Sequence, residues 1–188
     1  EDEISELVLV SAAQFYNDFA DFEVFLLGIL TGRVYFTCEL SKYLTMPVKM
    51  GFMKASSYGD GLTSSGVVRI NQDEEINVKG KHVIVIEDIV DSGRTLAFLM
   101  HMLAKREPAS LRLCSFLDKP SGRVSDVSPD YTGFTIPDKF VVGFGMDYAQ
   151  RYRNLPYIGE LIFKEVKNER RKRLWLFYRF GVDRKIKM

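Results

Sequence analysis

The densest chemistry in this chain lies between Val83 and Thr95. Val83-Ile84-Val85-Ile86 is a short apolar run of the kind that forms a strand buried on both faces. It ends in two adjacent carboxylates, Glu87 and Asp88, and a third, Asp91, precedes Ser92-Gly93-Arg94-Thr95. Backbone N–H groups and hydroxyls at a helix start cradle a phosphate. Carboxylates beside that cradle would repel the phosphate, so they need another target, such as the hydroxyls of a ribose or a divalent cation. Gly93 permits a tight turn and a close backbone approach. Arg94 either adds charge to the phosphate or points to solvent. Each acid also has a plainer reading: Glu87 and Asp88 as a solvated turn, Asp91 as the cap of a helix beginning near Thr95.

These residues need elements to carry them. Residues 3–20 have Ile4, Leu7, Val8, Ala12, Phe15 and Phe19 at helical spacing. A strand is expected over 24–29, a helix over 34–44, and an extended stretch over 46–56 set off by Pro47. Ser57 to Gly66 is a polar, glycine-rich loop, followed by a short strand at 67–70. The acidic strand, its turn and its helix occupy 83–106, and another strand runs 111–118. This alternation predicts an α/β fold, a twisted and mainly parallel sheet flanked by helices. Ligands of such sheets bind beyond the carboxyl ends of the strands. The acid pair, Asp118-Lys119 and the Thr31-Gly32 turn all sit at such ends, so three loops converge on one crevice.

Composition sets outer limits. A chain of 188 residues fits one domain, and 46% hydrophobic with 27% charged residues is ordinary for a globular core. The net charge of +1 selects no partner, but its distribution is uneven. Residues 164–188 hold ten Lys/Arg against three Asp/Glu, which leaves a mildly acidic body of sixteen against twenty-two. Leu174-Trp175-Leu176-Phe177-Tyr178 follows the basic run; an amphipathic docking helix, an oligomer contact and a surface patch for nucleic acid or membrane are open to this extension, and a charged, solvated extension that packs its aromatics on the body is the favoured reading. Cys38 and Cys114 are expected to be buried free thiols, and two distant histidines make no zinc site. No apolar run is long enough to span a membrane. A reducing, cytoplasmic setting is therefore expected.

Four motifs in order carry a family resemblance. Glu87 to Thr95 resembles the phosphoribosyl pyrophosphate signature of type I phosphoribosyltransferases. Ser56-Ser57-Tyr58-Gly59, Leu117-Asp118-Lys119-Pro120 and Phe140 to Tyr148 fall in the order and spacing of the hypoxanthine-guanine phosphoribosyltransferases, and Arg151 to Ile158 completes the match over roughly residues 24–162. The resemblance implies a small hood, formed by N-terminal residues and roughly 120–163, over a base pocket. It implies that Glu87 and Asp88 bind ribose hydroxyls and Mg²⁺, that Asp147 holds a second Mg²⁺, and that Ser92, Gly93, Arg94 and Thr95 wrap the 5′-phosphate. Asp91 would handle the purine N7 proton. Lys119, a donor only, would meet the 6-oxo group. Phe140 would stack on the base, Val141 would offer backbone groups to its edge, and Arg153 would reach pyrophosphate. Ser57 and Tyr58 match a loop that closes over the site. Without the resemblance, Lys119 and Arg153 read as surface cations and Phe140-Val141-Val142 as a core strand.

The implied activity is transfer of a 5-phosphoribosyl group from phosphoribosyl pyrophosphate to a 6-oxopurine, by a homodimer or homotetramer. A xanthine-preferring enzyme and a regulatory protein that binds nucleic acid on the same fold are the alternatives. Retention of Asp91, Lys119 and Asp147 together counts against the regulator. One departure stands out. The family commonly has Leu-Lys-Gly after the first strand, and this chain has Leu30-Thr31-Gly32-Arg33. Either Arg33 compensates for the missing lysine, or Thr31 and Gly32 bind pyrophosphate by backbone alone. The resemblance also allows a cis peptide at Leu30-Thr31.

Overall fold

The structure, a computed structural model, describes residues 2–58, 67–71, 76–163, 174–177 and 185–187. Its main sheet contains β1 (Val24–Leu30), β2 (Val48–Tyr58), β3 (Val67–Asn71), β4 (His82–Val90), β5 (Ser110–Asp118) and β6 (Tyr131–Thr135), in the spatial order β3-β2-β1-β4-β5-β6. The pairs β2–β1, β1–β4, β4–β5 and β5–β6 are parallel, and only the edge strand β3 runs antiparallel, against β2. The helices are α1 (Asp2–Phe19), α2 (Val34–Ser41) and α3 (Arg94–Ala104).

Side chains alternate across a strand, so a sheet covered on both faces needs apolar residues at every position. The central strands satisfy that need. Leu26, Ile84, Ile86, Cys114 and Phe116 share one core with Val8, Phe15 and Phe19 of α1 and with Phe36 and Leu40 of α2. Leu27, Ile29, Val83, Val85 and Leu113 share the other with Leu96, Leu99 and Leu103 of α3. Two faces, two helical layers and a parallel sheet follow from one apolar run repeated along the chain.

A second sheet contains β7 (Val141–Val142), β8 (Gly159–Phe163), β9 (Leu174–Phe177) and β10 (Lys185–Lys187), all antiparallel in the order β10-β9-β8-β7. Of the segments expected in a hood, 141–142 and 159–163 enter this sheet, whereas α1 packs on the main sheet. Leu174–Phe177 is a strand paired with β8 rather than part of a docking helix. Lys185–Lys187 adds a further strand beside it, and residues 164–173, 178–184 and 188 of the basic extension, like the glycine-rich stretch 59–66, lie outside the described residues.

Several boundaries differ from the expectation. β4 does not stop before the acids but runs through them to Val90, because β5 extends alongside and pairs Glu87 with Ser115 and Val90 with Asp118. α2 ends at Ser41, and the N–H groups of Lys42, Tyr43 and Leu44 turn to carbonyls three residues back, a tighter winding common at helix ends. Cys114 is buried as expected, and burial pushes its thiol up, but Cys38 is exposed on α2. No helix among the described residues is long and apolar enough to cross a membrane.

Candidate active site at the strand ends

The carboxyl ends of β1, β4 and β5 bring the sequence-selected residues to one edge of the sheet. Glu87 and Asp88, still within the β4 ladder, are both buried. Asp88 Oδ1 accepts the Ile89 N–H at 2.9 Å. The turn after β1 begins with a cis peptide at Leu30-Thr31. Thr31 is exposed and Gly32 is buried so closely against the acids that a Cβ there would overlap Asp88 Oδ2.

Arg33 settles where the unusual cation of this turn goes. Its Nε donates to Glu87 Oε1 at 3.0 Å and lies 3.1 Å from Asp88 Oδ1, and its Nη2 also bonds Glu87. The guanidinium therefore turns inward onto the acid pair. Burial pushes the Glu87 carboxyl up to about 7; Arg33 opposes that rise and the neighbouring Asp88 adds to it. Two adjacent buried carboxylates with one counter-ion among the described residues form a site that further positive charge would stabilise.

Past β4 the chain turns through Asp91 and Ser92 to Gly93, which has φ of 74° and stands at the N-cap of α3. No side chain caps this helix, so Asp91 is not its cap. Arg94 is the exposed first residue of α3, and Thr95 is half-buried beside it. Asp91 is exposed and faces the next loop. Lys119, buried just past β5, places its Nζ 3.6 Å from Asp91 Oδ2 and 3.6 Å from Asp138 Oδ1. Its backbone N–H bonds Val90 O at 2.9 Å, which carries the sheet's registry into the loop and sets Lys119 beside Asp91.

Asp147 and Arg153 form a second cluster. Arg153 Nη2 lies 2.7 Å from Asp147 Oδ1, and Nη1 donates to Gly145 O at 2.7 Å. Gly145, at φ of 98°, is in backbone contact with Gly32: a Cβ on Gly145 would overlap Gly32 O. The pyrophosphate candidates Thr31, Gly32 and Arg153 are thereby linked through one glycine–glycine contact. Phe140 is largely exposed, with its ring edge-on to Tyr148 at 5.8 Å, and Val141 pairs with Glu160 in the second sheet. Ser57 and Tyr58 end β2 opposite Val68 and Val67. Both were expected in the glycine-rich loop, but pairing with β3 carries β2 through them, and 59–66 is outside the described residues.

Two residues here had no signal in the sequence. Asp138 faces Lys119 from a loop distant in sequence. Arg123 bonds the backbone of Asp91. Neither belongs to a motif, and only folding brings them to the site.

Comparison with known proteins gives the family and bears out the fold. The Phosphoribosyl transferase domain model matches residues 2–149. The chain is 49% identical over 160 residues to the hypoxanthine-guanine phosphoribosyltransferase of Streptococcus pneumoniae, covering 85% of this chain and 89% of that protein. It is 44% identical over 161 residues to the enzyme of the same name from Bacillus subtilis, covering 86% and 89%. Its fold is similar to the crystal structure of a hypoxanthine phosphoribosyltransferase from Staphylococcus aureus, with a TM-score of 0.82 at 38% identity over 85% of this chain and 86% of that one. With a matching domain model, two curated relatives above 40% identity and a shared tertiary structure, the chain belongs to the hypoxanthine-guanine phosphoribosyltransferases of the phosphoribosyltransferase family.

Proposed function

We propose that this protein transfers a 5-phosphoribosyl group from phosphoribosyl pyrophosphate to N9 of a 6-oxopurine, hypoxanthine first and guanine next, with release of pyrophosphate. The observation that carries this reading is the meeting of Asp91 and Lys119, 3.6 Å apart on separate loops, beside the buried acid pair. An ammonium next to a carboxylate is matched to an oxopurine: Lys119 donates to O6, and Asp91 takes the proton that N7 loses as N9 attacks. An adenine amino group at the same place would set donor against donor. The displacement is loose and inverts the anomeric carbon.

The remaining residues bind and orient. Glu87 and Asp88 accept from the ribose 2′- and 3′-hydroxyls. The N–H groups and hydroxyls of Ser92, Gly93 and Thr95 hold the 5′-phosphate, with Arg94 at its edge. Phe140 covers the base and Val141 offers backbone groups to its edge. Arg153 forks onto pyrophosphate, and the N–H groups of Thr31 and Gly32 face the same group. Ser57 and Tyr58 belong to a cover that keeps water from the reacting carbon.

The acid pair suits Mg²⁺. The ion takes oxygen donors, needs only one or two carboxylates and keeps several waters. Glu87 and Asp88 supply two buried carboxylates, Asp147 would reach a second ion through water, and no group of three or more His, Cys, Asp or Glu among the described residues forms a closed cage. When bound, Mg²⁺ supplies positive charge against the pyrophosphate that leaves. A cytoplasmic location and a homodimeric or homotetrameric assembly are part of the reading and rest on the resemblance alone.

The test is an assay with phosphoribosyl pyrophosphate, Mg²⁺ and each purine in turn, on the wild type and on Asp91→Asn. The variant should lose turnover and keep its affinity for phosphoribosyl pyrophosphate. Full activity would remove Asp91 from proton transfer. Preference for xanthine, or no release of pyrophosphate with any base, would overturn the assignment of substrate.

A further inference from the structure

Asp91 and Lys119 sit on different loops, and an exposed aspartate on a turn has many rotamers and backbone states open to it. Their close approach therefore needs a restraint beyond the strand ladder. Arg123 supplies one. Its Nε donates to Asp91 O at 2.9 Å and its Nη2 to Val90 O at 3.4 Å. Nη2 also pairs with the Asp118 carboxylate, and Nη1 donates to Val127 O. One guanidinium thus joins the end of β4, the end of β5 and the 123–127 segment. Its side chain and that of Asp118 are about equally buried, at 14% and 15% exposure, so the pair is well shielded from water.

The neighbouring contacts point the same way. Val124 N–H and Ser125 Oγ both donate to Ser92 O, each at 3.1 Å. A Cβ on Gly93 would lie 2.6 Å from Val127 Cγ1 and 3.0 Å from Arg123 Cδ, so the segment presses directly on the phosphate turn. A Cβ on Gly122 would overlap Asp91 Oδ1, so the missing side chain at 122 leaves the room that the Asp91 carboxylate occupies.

We propose that Arg123 is a positioning residue that locks the Asp91 turn to the Lys119 loop and so sets Asp91 for proton transfer. It touches no reacting atom. This rests on the reading of Asp91 given above. The planar fork, not the charge alone, performs the task, because its donors reach acceptors on three segments in fixed directions. A lysine ammonium at 123 keeps the charge and cannot span those acceptors.

The experiment measures kcat and KM for Arg123→Gln and Arg123→Lys in the full chain, each alone and combined with Asp91→Asn, below the melting temperature of every variant. Both single variants should lose turnover by about tenfold to 100-fold, the range expected of a misplaced catalytic group, while KM for phosphoribosyl pyrophosphate stays within about threefold. In the Asp91→Asn background the same changes should cost less than about threefold, since a residue acting through Asp91 has nothing left to position. A destabilised but folded Arg123→Lys with full turnover would overturn the proposal. So would an equal loss in both backgrounds, which would make Arg123 independent of Asp91. Wild-type turnover in Asp91→Asn alone would sink the reading of Asp91 and this proposal with it, whereas an impaired Asp91→Asn with additive Arg123 effects sinks this proposal alone.

Discussion

Removal of Arg33 should destabilise the protein more at pH 8 than at pH 5, and the difference can be worked from the acid pair. Arg33 is the counter-ion that the structure gives both Glu87 and Asp88, and its own side chain is only 25% exposed. With Arg33 present, the Glu87 carboxyl is held up at about 7 against an ordinary 4.5, with burial as the largest cause. The sign follows from proton counts. Between those two values the folded protein binds the Glu87 proton and the unfolded chain does not, so this group's contribution to stability falls as pH rises through the window. At pH 5 Glu87 is neutral in the fold, and Arg33→Ala loses mainly its contact with Asp88. At pH 8 the wild type has passed Glu87's midpoint by about one factor of ten, a gain of roughly 1.4 kcal/mol. The variant, whose Glu87 is pushed still higher without the guanidinium, lacks that gain. Protonation caps the extra cost at this value. For a chain of this size it amounts to about 3–6 °C of additional loss in Tm. Thermal unfolding of both proteins in Mg²⁺-free buffer at the two pH values reads it directly. An equal drop at pH 5 and pH 8, or a larger one at pH 5, would refute the view that Arg33 holds the charged form of Glu87.

The same group makes a prediction for the wild type. Glu87→Gln should flatten the fall in stability between pH 4.5 and about 7, a span worth about 3 kcal/mol at roughly 1.4 kcal/mol per factor of ten; parallel melting curves across that range would count against a buried, titrating Glu87. Lys119→Met should raise KM for hypoxanthine by about tenfold to 100-fold, the worth of a charge-assisted hydrogen bond, and leave KM for phosphoribosyl pyrophosphate near its wild-type value. Equal loss for both substrates would move Lys119 out of the base pocket. Tyr58→Ala should slow transfer or divert phosphoribosyl pyrophosphate to hydrolysis, measured as ribose 5-phosphate released without nucleotide, and unchanged kinetics would argue against closure over the site.

The architecture was legible because parallel sheets demand an uncommon composition. Only strands covered on both faces read as unbroken apolar runs, and Val83 to Ile86 is such a run. Turn residues then marked where each strand ended, and Gly93 stands in the tight turn that its missing side chain permits. The reach of β4 through Glu87 and Asp88 was not legible, because two carboxylates look like the end of a strand. The extension of β5 beside them decided otherwise, by pairing Glu87 with Ser115 and Ile89 with Leu117 on either side of Asp88. The exposure of Cys38 escaped for a similar reason: a helical pattern says which residues recur on one side, and small residues at its margin can face either way.

For the site, residue type and order were enough to select the acid pair, Asp91 and the Ser92–Thr95 turn, since each sits where a strand must end and carries a group with a definite chemistry, whereas Lys119 was selected only by the family resemblance of its motif. Sequence could also show that a lysine was missing from the first turn and that Arg33 stood nearby. It could not say which way that guanidinium points. Direction is set by through-space charge, and the two buried carboxylates of β4 draw Arg33 inward. The placement of Arg123 and Asp138 at the site was decided only in three dimensions, because contacts across loops exist only once the strands that carry those loops have paired.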